Sequence, residues 1–461
     1  MIDTENYEEL LESEDEQDSA EPQSPIPLAT TVDEAMPALR DLRARIVSLA
    51  GEKGDESSSE DQKVVLLEDP EDLAPKQAML STWAYALASL FDGHRSAAKV
   101  AKAFKRKFGQ PVNAQQALEL QVELDKAMLL LSDRFAETVK RQTSAYLAND
   151  TRPAAHAGSA YPAEPAALRE TLAGFFSHPD GPGSLDDLTD KTIVPRDHVR
   201  AMILPHIDLR VGGPTYAYGY NALIRDCNAE LFIILGVAHQ CHGQGLFYVS
   251  QKDFDTPLGV VKTDRSMASR LRAATGMDPT VSEMAHKTEH SIEFQAVCLS
   301  TYLCKRFKRN VEIVPILCGG VDSFISENAN PMDSPQFKKF AVALRAELEA
   351  SKRPWCVLCS VDLSHVGPEF GHSTMITEHL LPPIERGDQR FLKPAAELNI
   401  RGVYAEILRT KGARNIDATM AVLLMLQTCR GLLKHGQLLH YDQMFKEGSH
   451  SAVSYASMMF E

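Results

Sequence analysis

The chain has 461 residues and a net charge of −15, with 44% hydrophobic and 24% charged residues. That length suggests two or three folded units, and the composition supplies a substantial core. No apolar run approaches the roughly 20 residues that cross a bilayer, so a membrane-spanning protein is not expected. The start, Met-Ile-Asp-Thr-Glu-Asn, has no basic segment followed by an apolar one, which argues for a soluble cytoplasmic protein. Ten acidic and no basic residues lie within the first thirty, so the rest of the chain is only mildly acidic and nucleic acid is a poor partner. The eight cysteines are scattered, mostly in apolar runs, and no disulfide framework is expected.

Residues 1–62 combine acidic runs, Ser57-Ser58-Ser59 and Pro22, Pro25 and Pro27, with one weakly helical patch from Met36 to Leu49. A disordered acidic tail is expected there. Residues 63–148 read as a small, mainly helical domain. Leu80, Trp83, Ala84, Leu87 and Leu90 recur at helical spacing, and Ala97 to Phe108 is amphipathic, its Lys99–Lys107 stretch being the wet face. Val112-Asn113 caps a third helix with Leu118, Val122, Leu124, Leu129 and Leu130 on one face.

Residues 154–461 alternate short apolar runs with helical stretches, the pattern of an α/β domain. Strands are expected at Val199–Leu204, Leu231–Leu235, Val311–Leu317 and Trp355–Cys359, and helices at Pro214–Arg225, Arg265–Ala274 and Ser334–Leu348. Gly212-Gly213-Pro214 reads as a turn that starts a helix, with amides free to meet an anion.

Three of those strands stop at a polar cluster holding a histidine: Pro205-His206-Ile207-Asp208, Gly236-Val237-Ala238-His239 and Asp362-Leu363-Ser364-His365. Side chains just beyond the carboxyl ends of strands in an open α/β sheet converge on one crevice. Two histidines and a carboxylate placed there would suit divalent iron, zinc or copper. Thr288-Glu289-His290-Ser291, before an apolar helical run, is a fourth candidate. Each histidine taken alone also fits a structural, hydrogen-bonded role, and the case rests on their recurrence. Cys356 and Cys359 form a CxxC inside an apolar strand and read as core. His242 reads as a solvent-facing residue that could join the site.

At these residues the chain resembles the Memo-like family, whose bacterial members are called AmmeMemoRadiSam system protein B. The resemblance runs through Ala157-Gly158-Ser159-Ala160-Tyr161-Pro162, Pro205-His206-Ile207-Asp208 with Gly213-Pro214, and Gly236-Val237-Ala238-His239. It continues through Thr256-Pro257-Leu258-Gly259, Glu289-His290-Ser291-Ile292-Glu293, Val314-Pro315-Ile316, Ser360-Val361-Asp362-Leu363-Ser364-His365 and Ser454-Tyr455-Ala456. The resemblance implies the fold of class III extradiol dioxygenases, a central mixed sheet flanked by helices. Those enzymes hold non-haem iron on two histidines and a glutamate, with a further histidine as acid/base, and Memo-like proteins usually have cysteine in place of the carboxylate.

Carried over, the resemblance makes His206 and His239 metal ligands and His365 an acid/base group with Asp362 nearby; His290 is a further catalytic candidate. The usual cysteine falls in the stretch Arg414 to Leu423, which has none. A gapless register puts Asp417 at the third-ligand position, and a shift of two puts Asn415 there. Asp417 is favoured, with helix capping as its alternative role. The helical domain is similar to PqqD-type, winged-helix peptide-binding modules in Asp92-Gly93-His94-Arg95-Ser96, Phe104, Phe108 and Leu129-Leu130-Leu131-Ser132.

Together these imply a protein holding Fe(II), with copper or zinc as alternatives, that oxidises an unidentified small-molecule or peptide substrate. The rival expectation is a non-catalytic carrier or scaffold for a radical S-adenosylmethionine protein, with an AMMECR-like protein as a further partner. Zinc-assisted hydrolysis is a third. A homodimer is compatible with any of them.

Overall fold

A computed structural model describes residues 24–49, 62–69, 78–188, 198–241 and 245–461. They divide into two compact units, one up to Ala145 and one from Tyr146 onward. Within the first, strands β1 (Arg43–Leu49), β2 (Gln62–Glu68) and β3 (Ala78–Ser81) form an antiparallel sheet in that order. Helices α1 (Thr82–Ala88), α2 (Ala97–Phe108), α3 (Ala114–Lys126) and α4 (Asp133–Ala148) follow. In α2, Ala97, Val100 and Phe104 are buried at helical spacing while Lys99, Lys102 and Lys105 to Lys107 are exposed. Asn113 opens α3 with a capping box to Gln116.

Residues 24–49 lie inside the expected tail, yet they pack on this unit. Ala29 and Met36 join its core, and the Met36 amide donates to Arg95 O at 3.0 Å. The patch read as weakly helical from Met36 to Leu49 contains β1 instead. Ala44 and Ile46 stand opposite Leu67 and Val65 of β2 and face the core, a pairing with a partner that local periodicity does not reveal. Residues 1–23, where most of the acidic run falls, and His242 lie outside the described residues.

The second unit is built on a nine-stranded mixed sheet. Its strands are β4 (Ala201–Leu204), β5 (Leu231–Val237), β6 (Phe247–Val249), β7 (Lys262–Thr263), β8 (Glu312–Cys318), β9 (Trp355–Ser360), β10 (His365–Val366), β11 (Gly436–Lys446) and β12 (Ser451–Phe460). The order β10-β12-β4-β9-β5-β8-β6 puts β4, β9, β5 and β8 side by side and parallel, with β11 paired to β12 and β7 to β8. Parallel strands covered on both faces read as unbroken apolar runs, which is why these four stand out in the sequence. Successive side chains feed opposite layers: Ile233 and Leu235 pack one way, Phe232 and Ile234 the other. Cys356 and Cys359 fall on opposite faces, and all eight cysteines are free thiols.

One layer contains α5 (Pro165–Ser177), α6 (Leu209–Asp226) and α8 (His290–Cys298); the other contains α7 (Arg265–Thr275), α9 (Pro335–Ala350), α10 (Leu381–Ala396), α11 (Ile400–Thr410) and α12 (Thr419–Thr428). Gly212-Gly213-Pro214 is corrected from a helix-starting turn to the interior of α6, which begins at Leu209 with Asp208 as its cap. A Cβ on Gly213 would lie 2.3 Å from the Phe175 ring, so the glycine lets α5 approach. The Gly212 amide donates to Asp208 O at 3.0 Å and is not free for an anion.

Candidate metal centre

Because β4, β9 and β5 are adjacent and parallel, their carboxyl ends deliver His206, Asp362 and His239 to one place. His290 arrives as the first residue of α8, with Glu289 as that helix's N-cap. Helix α8 seats directly against β5: Ser291 Oγ accepts from the Val237 amide at 3.1 Å and donates to Val237 O at 3.2 Å. Gly236 makes room, since a Cβ there would meet Ser291 Oγ at 2.6 Å. Asp417 enters from the loop before α12, and His365 from β10.

Three imidazoles have their Nδ1 atoms committed. His206 Nδ1 is 2.9 Å from Ser360 O, and His365 Nδ1 is 3.1 Å from Leu363 O and 3.2 Å from Asn415 O. Carbonyls only accept, so both rings carry their proton on Nδ1. His239 Nδ1 lies 3.0 and 3.1 Å from the two oxygens of Glu289 and donates to them. Each Nε2 then turns to Asp417 Oδ2, at 3.1 Å from His206, 3.9 Å from His239 and 3.9 Å from His365. That oxygen is buried, and the His206 ring at 3.1 Å is its near partner. Its sister Oδ1 accepts the Asp362 amide at 2.9 Å.

Asp417 is therefore not the helix cap: Ala418 occupies that position and no side chain caps α12. Asn415, the other register, sends its side chain to Phe370 O at 3.2 Å. Nitrogens of His206, His239 and His290 also lie within 4.8 Å of one another, so His290 offers a further donor to the same space. Asp362 is 2% exposed; its Oδ1 accepts the His206 amide at 3.0 Å and its Oδ2 stands 3.7 Å from His206 Nε2.

The electrostatics ask for a cation. Burial opposes charge on His206, but Asp362 and Asp417 outweigh it and hold its pKa up at about 9. Burial likewise opposes charge on His239, and Glu289 and Asp417 lift it to about 10. His290 is pushed down to about 3 by burial, against the pull of Glu289, and stays neutral. Burial works to raise the acid of Asp417, yet His206 and its neighbours keep it well below the usual carboxylate range. Burial raises Asp362.

The residues fit a divalent transition metal. Histidines whose Nδ1–H donates to a carbonyl or carboxylate while Nε2 faces the site are the usual dress of metal-ligating histidine, a metal ion then taking the place of the Nε2 proton. Bonds of about 2.0–2.2 Å to nitrogen and oxygen put ligand atoms roughly 3–3.5 Å apart, a spacing that His206 Nε2 and Asp417 Oδ2 show at 3.1 Å, with His239 Nε2 farther off at 3.9 Å. His239, 36% exposed, and Asp417, 15% exposed, open onto a cavity of about 740 Å³. Leu246, Phe324, Ile325, Ile407 and Gln336 line it further out. Gly245 also lines the cavity, and the Phe370 ring lies 5.1 Å from the His365 ring.

Sequence reasoning placed Glu289 in a candidate cluster with His290 but gave it no role in the site. It is 3% exposed and sits between His239 and His290. A buried acid placed just before an apolar helix was the available signal, but its reach to His239 depends on α8 packing against β5.

The fold and site define an α/β protein with a histidine–carboxylate crevice at the carboxyl edge of parallel strands. The family described as Memo-like protein matches residues 152–459, and the chain belongs to it. A MEMO1 family protein of Aquifex aeolicus is 28% identical over 375 residues, covering 81% of this chain and 90% of the relative. One from Thermococcus onnurineus is 27% identical over 314 residues, covering 66% and 97%. One from Methanobrevibacter smithii is 28% identical over 250 residues, covering 54% and 82%. Among the described residues no helix is long and apolar enough to cross a membrane.

Proposed function

We propose that His206, His239 and Asp417 hold one ferrous ion, and that the protein uses it to oxidise a small molecule admitted through the adjoining cavity. The observation that carries this reading is the buried Asp417 Oδ2 with the Nε2 atoms of three histidines turned toward it. Two histidines and a carboxylate on one face of ferrous iron leave positions open for oxygen and substrate, which is the chemistry the ion supplies when bound. His365, its Nδ1–H fixed by Leu363 O and Asn415 O, presents Nε2 to take or return a proton at the reacting atom. His290, held neutral beside His239, offers a further nitrogen donor to the same space. Apolar walls at Phe324, Ile325 and Ile407 exclude water from a bound substrate.

Metal content after anaerobic loading with ferrous iron tests it. Wild type should bind about one iron, and His206→Ala and Asp417→Ala should lose it. Equal binding by Asp417→Ala would remove the carboxylate from the ligand set, and unchanged binding in both variants would end the metal reading.

One observation supports a second reading, a metal carrier or scaffold for a radical S-adenosylmethionine protein. Residues 24–145 have a core of their own that the chemistry of the second unit does not use. Reversible iron binding without oxygen consumption would favour it.

A further inference from the structure

A second buried carboxylate lies behind the site, and nothing above uses it. Asp388 of α10 is fully buried and takes four donors: Ser364 Oγ at 2.5 Å, Ser454 Oγ at 2.5 Å, Tyr441 Oη at 2.9 Å and Arg414 Nη1 at 2.6 Å. Arg414 Nη1 also donates to Ser364 Oγ at 3.1 Å, and Nη2 donates to Glu406 Oε1 at 3.0 Å. The guanidinium is thus clamped between two acids. Gly387 makes space for it, since a Cβ there would lie 2.8 Å from Nη1.

Both ends of this clamp touch the site through one bond of chain. Ser364 precedes His365. Arg414 opens the bend that ends at Asp417, and its carbonyl accepts the His365 amide at 2.8 Å. The next carbonyl, that of Asn415, accepts His365 Nδ1–H, and Asn415 holds φ at 44°, a left-handed conformation unusual for a residue other than glycine. Such a bend persists only where its surroundings over-determine it. Here they include the two arms of Arg414, the Asn415 amide on Gly412 O and the Asn415 side chain on Phe370 O.

We propose that Asp388 and Arg414 are positioning residues of the metal centre: by pinning the 414–417 bend they fix the His365 imidazole with its Nε2 bare and hold the Asp417 carboxylate among the histidines. The proposal rests on the metal reading of His206, His239 and Asp417. In Asp388→Asn the guanidinium keeps only Glu406 as a charged anchor and is free to shift toward it. In Arg414→Lys a single ammonium replaces the planar fork and cannot span both acids. Either change loosens the Asn415 carbonyl from His365 and leaves the Nδ1–H tautomer held by Leu363 O alone instead of by two carbonyls.

The test uses the full chain labelled with 15N-histidine, with the His365 signals assigned by comparison with His365→Gln. In the metal-free wild type at a pH where the ring is neutral, His365 should show a protonated Nδ1 and a bare Nε2. Both variants should show the two tautomers mixed, and their dissociation constants for ferrous iron should rise about 10- to 100-fold with the stoichiometry unchanged. A folded variant that keeps the wild-type His365 spectrum and the wild-type iron affinity overturns the proposal. If Asp388→Asn does not fold, Arg414→Lys decides alone. Should the wild type bind no iron, that failure falls on the metal reading, and the histidine spectrum still decides the role of the pair.

Discussion

Glu289 serves two histidines and a helix at once. Its carboxylate accepts from His239 Nδ1, lies 3.3 Å from His290 Nδ1 and accepts the amides of His239 and Ser291, both at 3.1 Å. A carboxylate behind a ligating imidazole raises the basicity of the nitrogen that faces the metal. Glu289→Gln keeps an acceptor for the helix but removes that charge, so iron affinity should fall about 10- to 100-fold with little change in fold. Competition against a chelator measures this, and an affinity equal to wild type would remove Glu289 from the centre. His286 makes a different prediction. Its Nε2 is 3.1 Å from Tyr248 O, so the neutral ring donates there, and burial pushes its pKa down from 6.5 to about 4. Between pH 6.5 and about 4 the unfolded chain takes up a proton that the folded chain refuses, so stability drops as pH falls through that window and is untouched above it. The loss should amount to about 3 kcal/mol at its fullest. Urea unfolding at pH 7.5 and pH 5 should show a smaller difference for His286→Gln than for wild type.

Elements meet closely where the site is built. Helix α8 carries His290 and Glu289 to the end of β5 only because Gly236 has no side chain; Ser291 Oγ and Ile292 Cγ1 would lie 2.6 and 2.8 Å from a Cβ there. Gly236→Ala should destabilise the second unit by about 1–3 kcal/mol, read from the urea midpoint, and weaken iron binding together with stability. The buried pair Arg152–Glu293, at 2.6 Å, braces the same helix from the other side. Elements of this kind differ in how far they show in the sequence. Strands β5 and β9 are buried on both faces and read as apolar runs, and α2 announces itself through Ala97, Val100 and Phe104. Strand β1 does not, because half of its pattern is supplied by Val65 and Leu67 of another strand. The glycines of α6 look like a turn until Phe175 is seen packed against one of them.

Across the whole molecule, the same distinction separates the parts of the centre. His206 and His239 are legible because each follows a readable strand, and His365 because its cluster follows β9, although the residue itself opens the short β10. Asp417 needs a register, and its alternative as a cap falls only when α12 is seen to start at Thr419. The roles of Glu289, Asp388 and Arg414 are not legible, since the contacts that define them, Glu289–His239, Asp388–Arg414 and Asp388–Ser454, join residues 26 to 66 apart. All of these residues belong to the unit that starts at Tyr146. Residues 146–461 purified alone should therefore bind iron with the stoichiometry and affinity of the full chain; a loss would mean that the first unit contributes to the centre.

The place of β12 in the sheet has a consequence for synthesis. This strand, made last among those of the sheet, inserts between β10 and β4, and Ser454 takes up the amides of Leu363 and Ser364 on its main-chain and side-chain oxygens. A growing chain on the ribosome thus exposes its histidines long before the loop 362–365 has anything to lean on. Until Ser451–Phe460 has emerged and paired, the loop 362–365 lacks the Ser454 contacts that place His365 beside the other histidines. A cation bound in the finished geometry stabilises only the completed fold, so metal capture would act as a late seal on folding and not as its nucleus.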